Sequence, residues 1–287
     1  MMEKNRIIFN EGLLGTKATI EGPWKKEYLA LLLEKKVQEL ELNDGKGWYG
    51  DNVQFLEQLP HLKSLIIIDL NIKSIEPIHS LNGLTKLEIN TYSNDPINFT
   101  DFPQLLECSF EWIAGSETLF ESSTLQKLFI NEYTKKDSTV FSGLFNLKEL
   151  SILNSPIENL EGLSKLKSLN YLRLGNLKNL NSLHGIGSLQ GIEELEIQRC
   201  KGILDVSEVF KLIKLKRLLL IDLGDITSIH GIEYLTELKD FLFYESTNIL
   251  DGDLSPLTQL KNLKTVSYQN RRHYSHKRED FGELYFG

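Results

Sequence analysis

Two hexads in the middle of the chain decide the fold: Leu147-Lys-Glu-Leu-Ser-Ile152 and Leu169-Asn-Tyr-Leu-Arg-Leu174. Both follow the pattern Leu-x-x-Leu-x-Leu/Ile, and the second begins 22 residues after the first. A pattern that recurs every 20–50 residues or so is typical of a solenoid, in which each repeat buries its apolar side chains against its neighbours. The sequence therefore predicts a repeat protein rather than a single globular core.

The hexad recurs along most of the chain. Its second Leu serves as an anchor, and a further apolar side chain lies two residues after it, as Ile152 does after Leu150. Because side chains alternate along a strand, anchor and follower share one face, and such strands stack in parallel into a sheet. The short return half, such as residues 157–163, suits one helical or 3-10 turn. Eleven anchors are spaced by about 23 residues: Leu40, Leu65, Leu87, Cys108, Leu128, Leu150, Leu172, Leu195, Leu218, Phe241 and Val266.

These repeats resemble the leucine-rich repeat family, most closely its 22–23-residue cytosolic and bacterial types. The resemblance covers roughly residues 37–268. It implies an α/β fold: a right-handed superhelix with a parallel β-sheet on the concave side and short helical or 3-10 turns on the convex side. The chain departs from the family's asparagine position after the strand. Asn154 and Asn176 come one position early, and other side chains occupy that slot elsewhere: Tyr92, Ile113 and Tyr133.

Two segments flank the repeats and are predicted to cap them, since a terminal repeat leaves an apolar edge exposed. In residues 1–36, Ile7-Ile8-Phe9 and Ala18-Thr19-Ile20 predict a short hairpin. Pro23 then introduces residues 24–36, which predict an amphipathic helix with Trp24, Tyr28, Leu31 and Leu32 on its apolar face. Residues 269–287 form the C-terminal cap or tail.

Two aromatic segments have alternative interpretations. The basic stretch Arg271-Arg-His-Tyr-Ser-His-Lys-Arg278 is either a contact for an acidic partner or a cap in which Tyr274 and Phe281 cover the last repeat. His273 and His276 lack a third ligand, so no metal site is predicted. Trp48 and Tyr49 lie in a glycine-rich insert that either reaches a ligand or folds back onto the first repeat.

Composition limits the partners and the location. The formal charge is −8 and the pI about 5.4, which argues against duplex nucleic acid. The sequence lacks a signal-peptide core and a membrane-spanning run, so a cytoplasmic protein without a membrane partner is expected. A monomer is also expected, and the resemblance to the leucine-rich repeat family implies a bacterial type. Cys108 and Cys200 are predicted to be buried free thiols, which fits a reducing compartment.

Catalytic motifs are lacking. The sequence contains no nucleophile elbow, zinc spacing, dinucleotide fingerprint or kinase motif, so neither an enzyme nor a cofactor is predicted. Carboxylate pairs such as Glu194 and Glu196 are expected to face water from an open sheet, where nothing raises a pKa.

Members of the leucine-rich repeat family hold partners on the concave face of the sheet. The resemblance implies that the residues before, one after and three after each anchor form this face here. Leu219, Ile221, Leu242 and Tyr244 lie at such positions on adjacent strands and predict a contiguous apolar patch, unless the C-terminal tail covers it. The predicted partner-binding residues are Phe129, Leu153, Tyr171, Arg173, Glu194, Glu196, Arg217, Leu219, Ile221, Asp240, Leu242 and Tyr244.

The sequence therefore predicts a non-catalytic scaffold that binds another protein. One alternative is an immunity or inhibitor protein that neutralises a toxin or enzyme, and an acidic face would suit a basic nuclease. Another is a secreted or surface adhesion protein, which would need an export signal that the N-terminal sequence lacks.

Overall fold

The structure is a computed structural model that describes residues 5–284, with side chains through residue 282. It divides into two compact units, Met1–Phe129 and Ile130–Gly287. The predicted division into repeats (37–268) and caps (1–36 and 269–287) follows the sequence pattern instead and stays a prediction. Residues 1–4 and 285–287 of the predicted caps lie outside the described residues.

The described residues form short strands, one α-helix and a series of 3-10 helices. The strands are β1 Arg6–Glu11, β2 Thr16–Glu21, β3 Glu39–Asn43, β4 Ser64–Ile68, β5 Lys86–Asn90, β6 Glu107–Glu111, β7 Lys127–Asn131, β8 Glu149–Leu153, β9 Tyr171–Gly175, β10 Glu194–Gln198, β11 Arg217–Ile221, β12 Asp225–Ile226, β13 Asp240–Tyr244, β14 Asn248–Ile249 and β15 Thr265–Tyr268. Helix α1 is Lys26–Glu34, and the 3-10 helices are Asp44–Lys46, Gln54–Gln58, Glu76–Ser80, Phe99–Asp101, Glu117–Glu121, Thr139–Gly143, Glu161–Lys165, Ile186–Ser188, Ser207–Lys211, Ile232–Tyr234, Ser255–Gln259 and Arg278–Leu284.

The N-terminal segment contains the hairpin and the helix that its sequence predicts. Strands β1 and β2 pair in antiparallel register, with Ile7 opposite Ile20. The predicted bounds of the helix are wrong, because Lys25 is extended and α1 runs only from Lys26 to Glu34. Tyr28 and Leu32 of α1 are buried as expected, whereas Leu31 is exposed.

The repeats pair in parallel within each unit. Strands β2 to β6 are neighbours in the first unit, and β8, β9, β10, β11, β13 and β15 are neighbours in the second. The anchors lie opposite one another, as Leu150, Leu172 and Leu195 do, and all three are buried. A core ribbon therefore runs beneath each sheet, and the register predicted from the hexads is confirmed.

A left-handed residue directly follows each of the strands β7, β8, β9, β10, β11 and β13. Such residues donate their N–H to the next repeat: that of Asn154 to the Gly175 carbonyl at 2.9 Å, and that of Asn176 to the Gln198 carbonyl at 2.8 Å. The amide of Asn176 donates to Oδ1 of Asn154, so an asparagine ladder forms at this outer position. Asparagine tolerates this backbone better than most residues. The residues with φ of 53° to 59° are Glu132, Asn154, Asn176, Arg199, Asp222 and Glu245.

Candidate partner-binding face

Each sheet has one side turned away from the core, here called the open face. It carries the residues directly before, one after and three after each anchor. Leu219 on β11 and Leu242 on β13 are partly exposed. The residue that follows each of them, Leu220 on β11 and Phe243 on β13, is 0% and 1% exposed, respectively. The alternation expected from the hexads is therefore present where the apolar patch was predicted.

Three side chains form an apolar patch on the open face of the second unit: Leu219, Leu242 and Tyr244. Leu219 lies opposite Leu242 in the parallel register, and Ile221 lies opposite Tyr244. The prediction that Ile221 is exposed is wrong, since it is only 7% exposed. Its register neighbours on the adjacent strands are Gln198 and Tyr244. The patch is therefore narrower than predicted.

Charged residues border the apolar patch. On the β10 side, Nε of Arg173 lies 3.1 Å from Oε1 of Glu196, and its guanidinium also donates to Gln198 at 3.3 Å. Glu196 is the register neighbour of Leu219, so this ion pair adjoins the patch. Along the strand starts, charges alternate in sign through Glu194, Arg217 and Asp240.

Tyr171 separates two shallow grooves on the open face. Burial raises the pKa of its phenol, and the charge of Glu196 adds to this effect. One groove of about 120 Å³ is lined by Tyr171, Glu194, Leu195, Glu196, Arg217 and Leu219. The other, of about 280 Å³, is lined by Glu149, Asn170, Tyr171, Glu193 and Glu194. Both volumes fall below the roughly 300–1,000 Å³ of typical small-molecule sites, so each suits a single side chain of a partner.

The structure brings ten of the twelve predicted residues together on β9, β10, β11 and β13. Leu153 lies on β8 and leans over Gly175, where an added Cβ would collide with it. Phe129 is partly exposed but belongs to the first unit. These two residues lie outside the apolar patch.

The C-terminal tail packs on the last repeat. The rings of Phe281 and Tyr268 pack edge to face, with their centroids 6.3 Å apart. The Tyr268 hydroxyl donates to the His276 carbonyl at 3.1 Å. A guanidinium nitrogen of Arg271 donates to the Thr247 carbonyl. Tyr268 is a core-facing residue of β15, so these contacts cover the end of the core, and Leu242 and Tyr244 remain partly exposed.

The first unit carries open-face features that the sequence analysis missed. Ile66 and Ile68 are partly exposed on β4, at positions that the repeat rule itself identifies. Glu41 occupies such a position on β3 yet is only 3% exposed, because Lys17 and Lys46 lie 2.8 Å and 2.6 Å from its carboxylate. Those two lysines are far apart in sequence, so no local pattern signals the cluster.

The remaining aromatic and sulfur residues offer little chemistry. Trp48 is 1% exposed and packs edge-on to Phe55, whereas Tyr49 is exposed. The insert therefore folds back through Trp48. Both cysteines are buried free thiols, and burial raises the pKa of Cys108 and brings that of Cys200 to about 11. Across residues 5–284, no group of three or more His, Cys, Asp or Glu side chains is placed to hold a metal ion.

The architecture agrees with solved leucine-rich repeat structures. An internalin, InlF, from Listeria monocytogenes is similar over 93% of this chain and 84% of its own, with a TM-score of 0.63 and 19% identity. A leucine-rich repeat protein from Leptospira interrogans matches over 91% and 67%, with a TM-score of 0.49 and 17% identity. The sequence matches no protein-family model and no curated protein. The parallel strands with short 3-10 turns and the likeness to InlF show that the chain has the leucine-rich repeat fold. In the described part of the chain, no helix has the length and apolar character to cross a bilayer.

Proposed function

We propose that the protein is a non-catalytic binding module that holds another protein on the open face of its second unit. The observation that carries the proposal is the pairing of Leu219 with Leu242 beside Tyr244, three large apolar side chains that keep contact with solvent. Clustered apolar side chains within a polar border are typical of the centre of a protein interface, where most of the binding energy is concentrated.

The surroundings of the patch support a protein partner over a small molecule. The neighbouring grooves are shallow and lined by carboxylates, Tyr171 and Arg217, so they suit side chains that project from a larger surface. The backbone of this face is fixed by parallel pairing on both sides of β10 and β11. A preformed surface avoids much of the ordering cost of binding, which favours affinity for a given contact area.

The test compares the patch with a matched apolar pair elsewhere. The double variant Leu219→Ala/Tyr244→Ala should lose a protein that the wild type captures from native lysate, and its affinity for the purified partner should fall at least about tenfold. Leu204→Ala/Leu250→Ala changes side chains that are 56% and 52% exposed outside the open face, and it should bind normally. Equal binding by both variants would contradict the proposal.

Two narrower roles stay predictions: an immunity or inhibitor protein, and a surface adhesion protein. A cytoplasmic location likewise stays a prediction. Identifying the captured partner separates these roles, because an inhibitor should abolish the activity of its partner in a purified mixture, whereas an adhesion protein should bind a component of another cell's surface.

A further inference from the structure

The loops at the amino ends of the second unit's parallel strands are strongly basic. We call amino-end loops the four residues directly before each strand: residues 145–148, 167–170, 190–193, 213–216, 236–239 and 261–264. The whole chain has a formal charge of −8, yet lysines outnumber glutamates here by seven to two. These residues are Lys148, Lys167, Lys214, Lys216, Lys239, Lys261, Lys264, Glu193 and Glu237.

Backbone hydrogen bonds hold consecutive loops in one row. The N–H of Lys239 donates to the Lys216 carbonyl at 2.8 Å, and that of Lys264 donates to the Lys239 carbonyl at 2.6 Å. Neighbouring loops are thus about one strand spacing, roughly 4.8 Å, apart. The residues directly before Lys216, Lys239 and Lys264 are buried, as Leu238 and Leu263 are, so these three lysine side chains point away from the core.

Four of the loop lysines, Lys214, Lys239, Lys261 and Lys264, form no ion pair within the described residues, whereas Lys216 does. Lys216 pairs with Glu193 at 2.7 Å, and the hydrogen bond from Lys216 together with the nearby charges of Lys214 and Lys239 lowers the pKa of that carboxyl. Among the described residues, no carboxylate lies within ion-pair distance of Lys214, Lys239, Lys261 or Lys264. A row of unpaired ammonium groups attracts an anionic surface.

Two large apolar side chains stand in the same loops. Phe145 and Ile213 each occupy the first loop position, and they are 54% and 56% exposed. They lie three strands apart, roughly 14 Å, with Lys167 and Gln190 at the equivalent positions between them. At a membrane surface, apolar side chains such as these enter the boundary between headgroups and acyl chains, while lysines beside them are attracted to anionic lipid.

We propose that the amino-end loops bind the surface of an anionic lipid bilayer. The lysines contact acidic headgroups, and Phe145 and Ile213 insert between the headgroups. The sequence suggested no membrane partner because it contains no spanning segment, but peripheral binding needs none. Side chains of the open face stand roughly perpendicular to the sheet, so loops at the strand ends can meet a membrane while Leu242 and Tyr244 stay accessible.

Vesicle co-sedimentation tests the proposal on the full chain. The protein should sediment with vesicles of phosphatidylcholine and phosphatidylserine, but not with phosphatidylcholine alone, and added salt should weaken binding. Lys239→Glu/Lys264→Glu should reduce vesicle binding at least about tenfold, because each lysine near an acidic membrane adds to the binding free energy. Phe145→Ser/Ile213→Ser should also reduce it. Lys135→Glu/Lys178→Glu makes the same charge change outside the loops and should bind nearly as well as the wild type.

Three results would overturn the proposal. The first is an absence of phosphatidylserine-dependent sedimentation at low salt. The second is an equal loss in the control variant, which would mean that net charge alone governs binding. The third is unchanged vesicle binding by Phe145→Ser/Ile213→Ser together with equally tight binding to duplex DNA, which would identify a general polyanion contact. Thermal unfolding of each variant verifies that the fold is retained.

Discussion

The hydroxyl of Tyr274 accepts a hydrogen bond from the backbone N–H of Ile249 at 3.0 Å. It also lies 3.3 Å from Oδ1 of Asn248, to which it donates. Tyr274 belongs to the C-terminal tail, and both partners belong to β14, which pairs with β12 in a separate two-stranded parallel sheet. The ring is 8% exposed, and this burial raises the pKa of the phenol. One side chain thus joins the tail to the last complete repeat.

Removing this hydroxyl should destabilise the protein. Tyr274→Phe leaves the buried N–H of Ile249 without its acceptor, which should lower the free energy of unfolding by about 1–3 kcal/mol in urea titrations. Tyr234→Phe removes a hydroxyl from a ring that is 68% exposed and should change stability little. Equal effects of the two changes would mean that the tail is not held through this bond.

A core anchor and an open-face leucine should differ sharply in their effect on stability. Leu172 lies on the core side of β9 and is 1% exposed. Leu172→Ala should lower the free energy of unfolding by about 2–5 kcal/mol because it leaves a cavity. Leu219→Ala removes a partly exposed side chain and should cost at most about 1 kcal/mol. Chemical denaturation of both variants measures the difference, and the reverse order would refute the assignment of the two faces.

The ion cluster around Glu41 should make stability depend on acid pH. Burial alone would raise the pKa of its carboxyl, but hydrogen bonds and charges from Lys17 and Lys46 outweigh this and bring the pKa to about 2 from an ordinary 4.5. A carboxyl with a lowered folded-state pKa stabilises the protein above its ordinary pKa and loses that contribution as pH falls through the folded-state value.

Wild type should therefore exceed Glu41→Gln in stability by up to about 3 kcal/mol at neutral pH. This excess should shrink between pH 4.5 and about 2. Glu88→Gln removes a carboxylate from the open face of β5, outside the ion cluster, and serves as the control. Urea midpoints measured across this pH range decide the matter, and a pH-independent difference would count against the ion cluster.

The left-handed residue after β13 should reverse the usual ranking of alanine and glycine. Glu245 has φ of 59°, a conformation that costs residues with a Cβ about 1–2 kcal/mol and glycine little. Glu245→Gly should therefore be more stable than Glu245→Ala by roughly 1 kcal/mol in thermal or urea unfolding. The same pair of substitutions at Ser151, within β8, should favour alanine, because glycine weakens a strand interior.

Much of the fold is predictable because its signals are local. The hexad around Leu172 places two buried side chains, Leu172 and Leu174, two positions apart, and period-2 alternation fixes which residues face outward. That rule correctly predicted that the side chains of Leu219, Leu242 and Tyr244 keep contact with solvent. It misjudged Ile221, because exposure also depends on the side chains of neighbouring strands. The start of α1 was misjudged as well, since a helix boundary depends on a single backbone conformation at Lys25.

The sequence by itself determined the repeat, its period, the buried anchors and the alternation of the two faces, because each depends on residues close together in the chain. Tertiary structure alone decided that Glu41 is buried between two lysines, that Trp48 folds inward and that lysines from successive repeats align along one set of loops. These features depend on residues from different repeats, which only stacking brings within a few ångströms of one another.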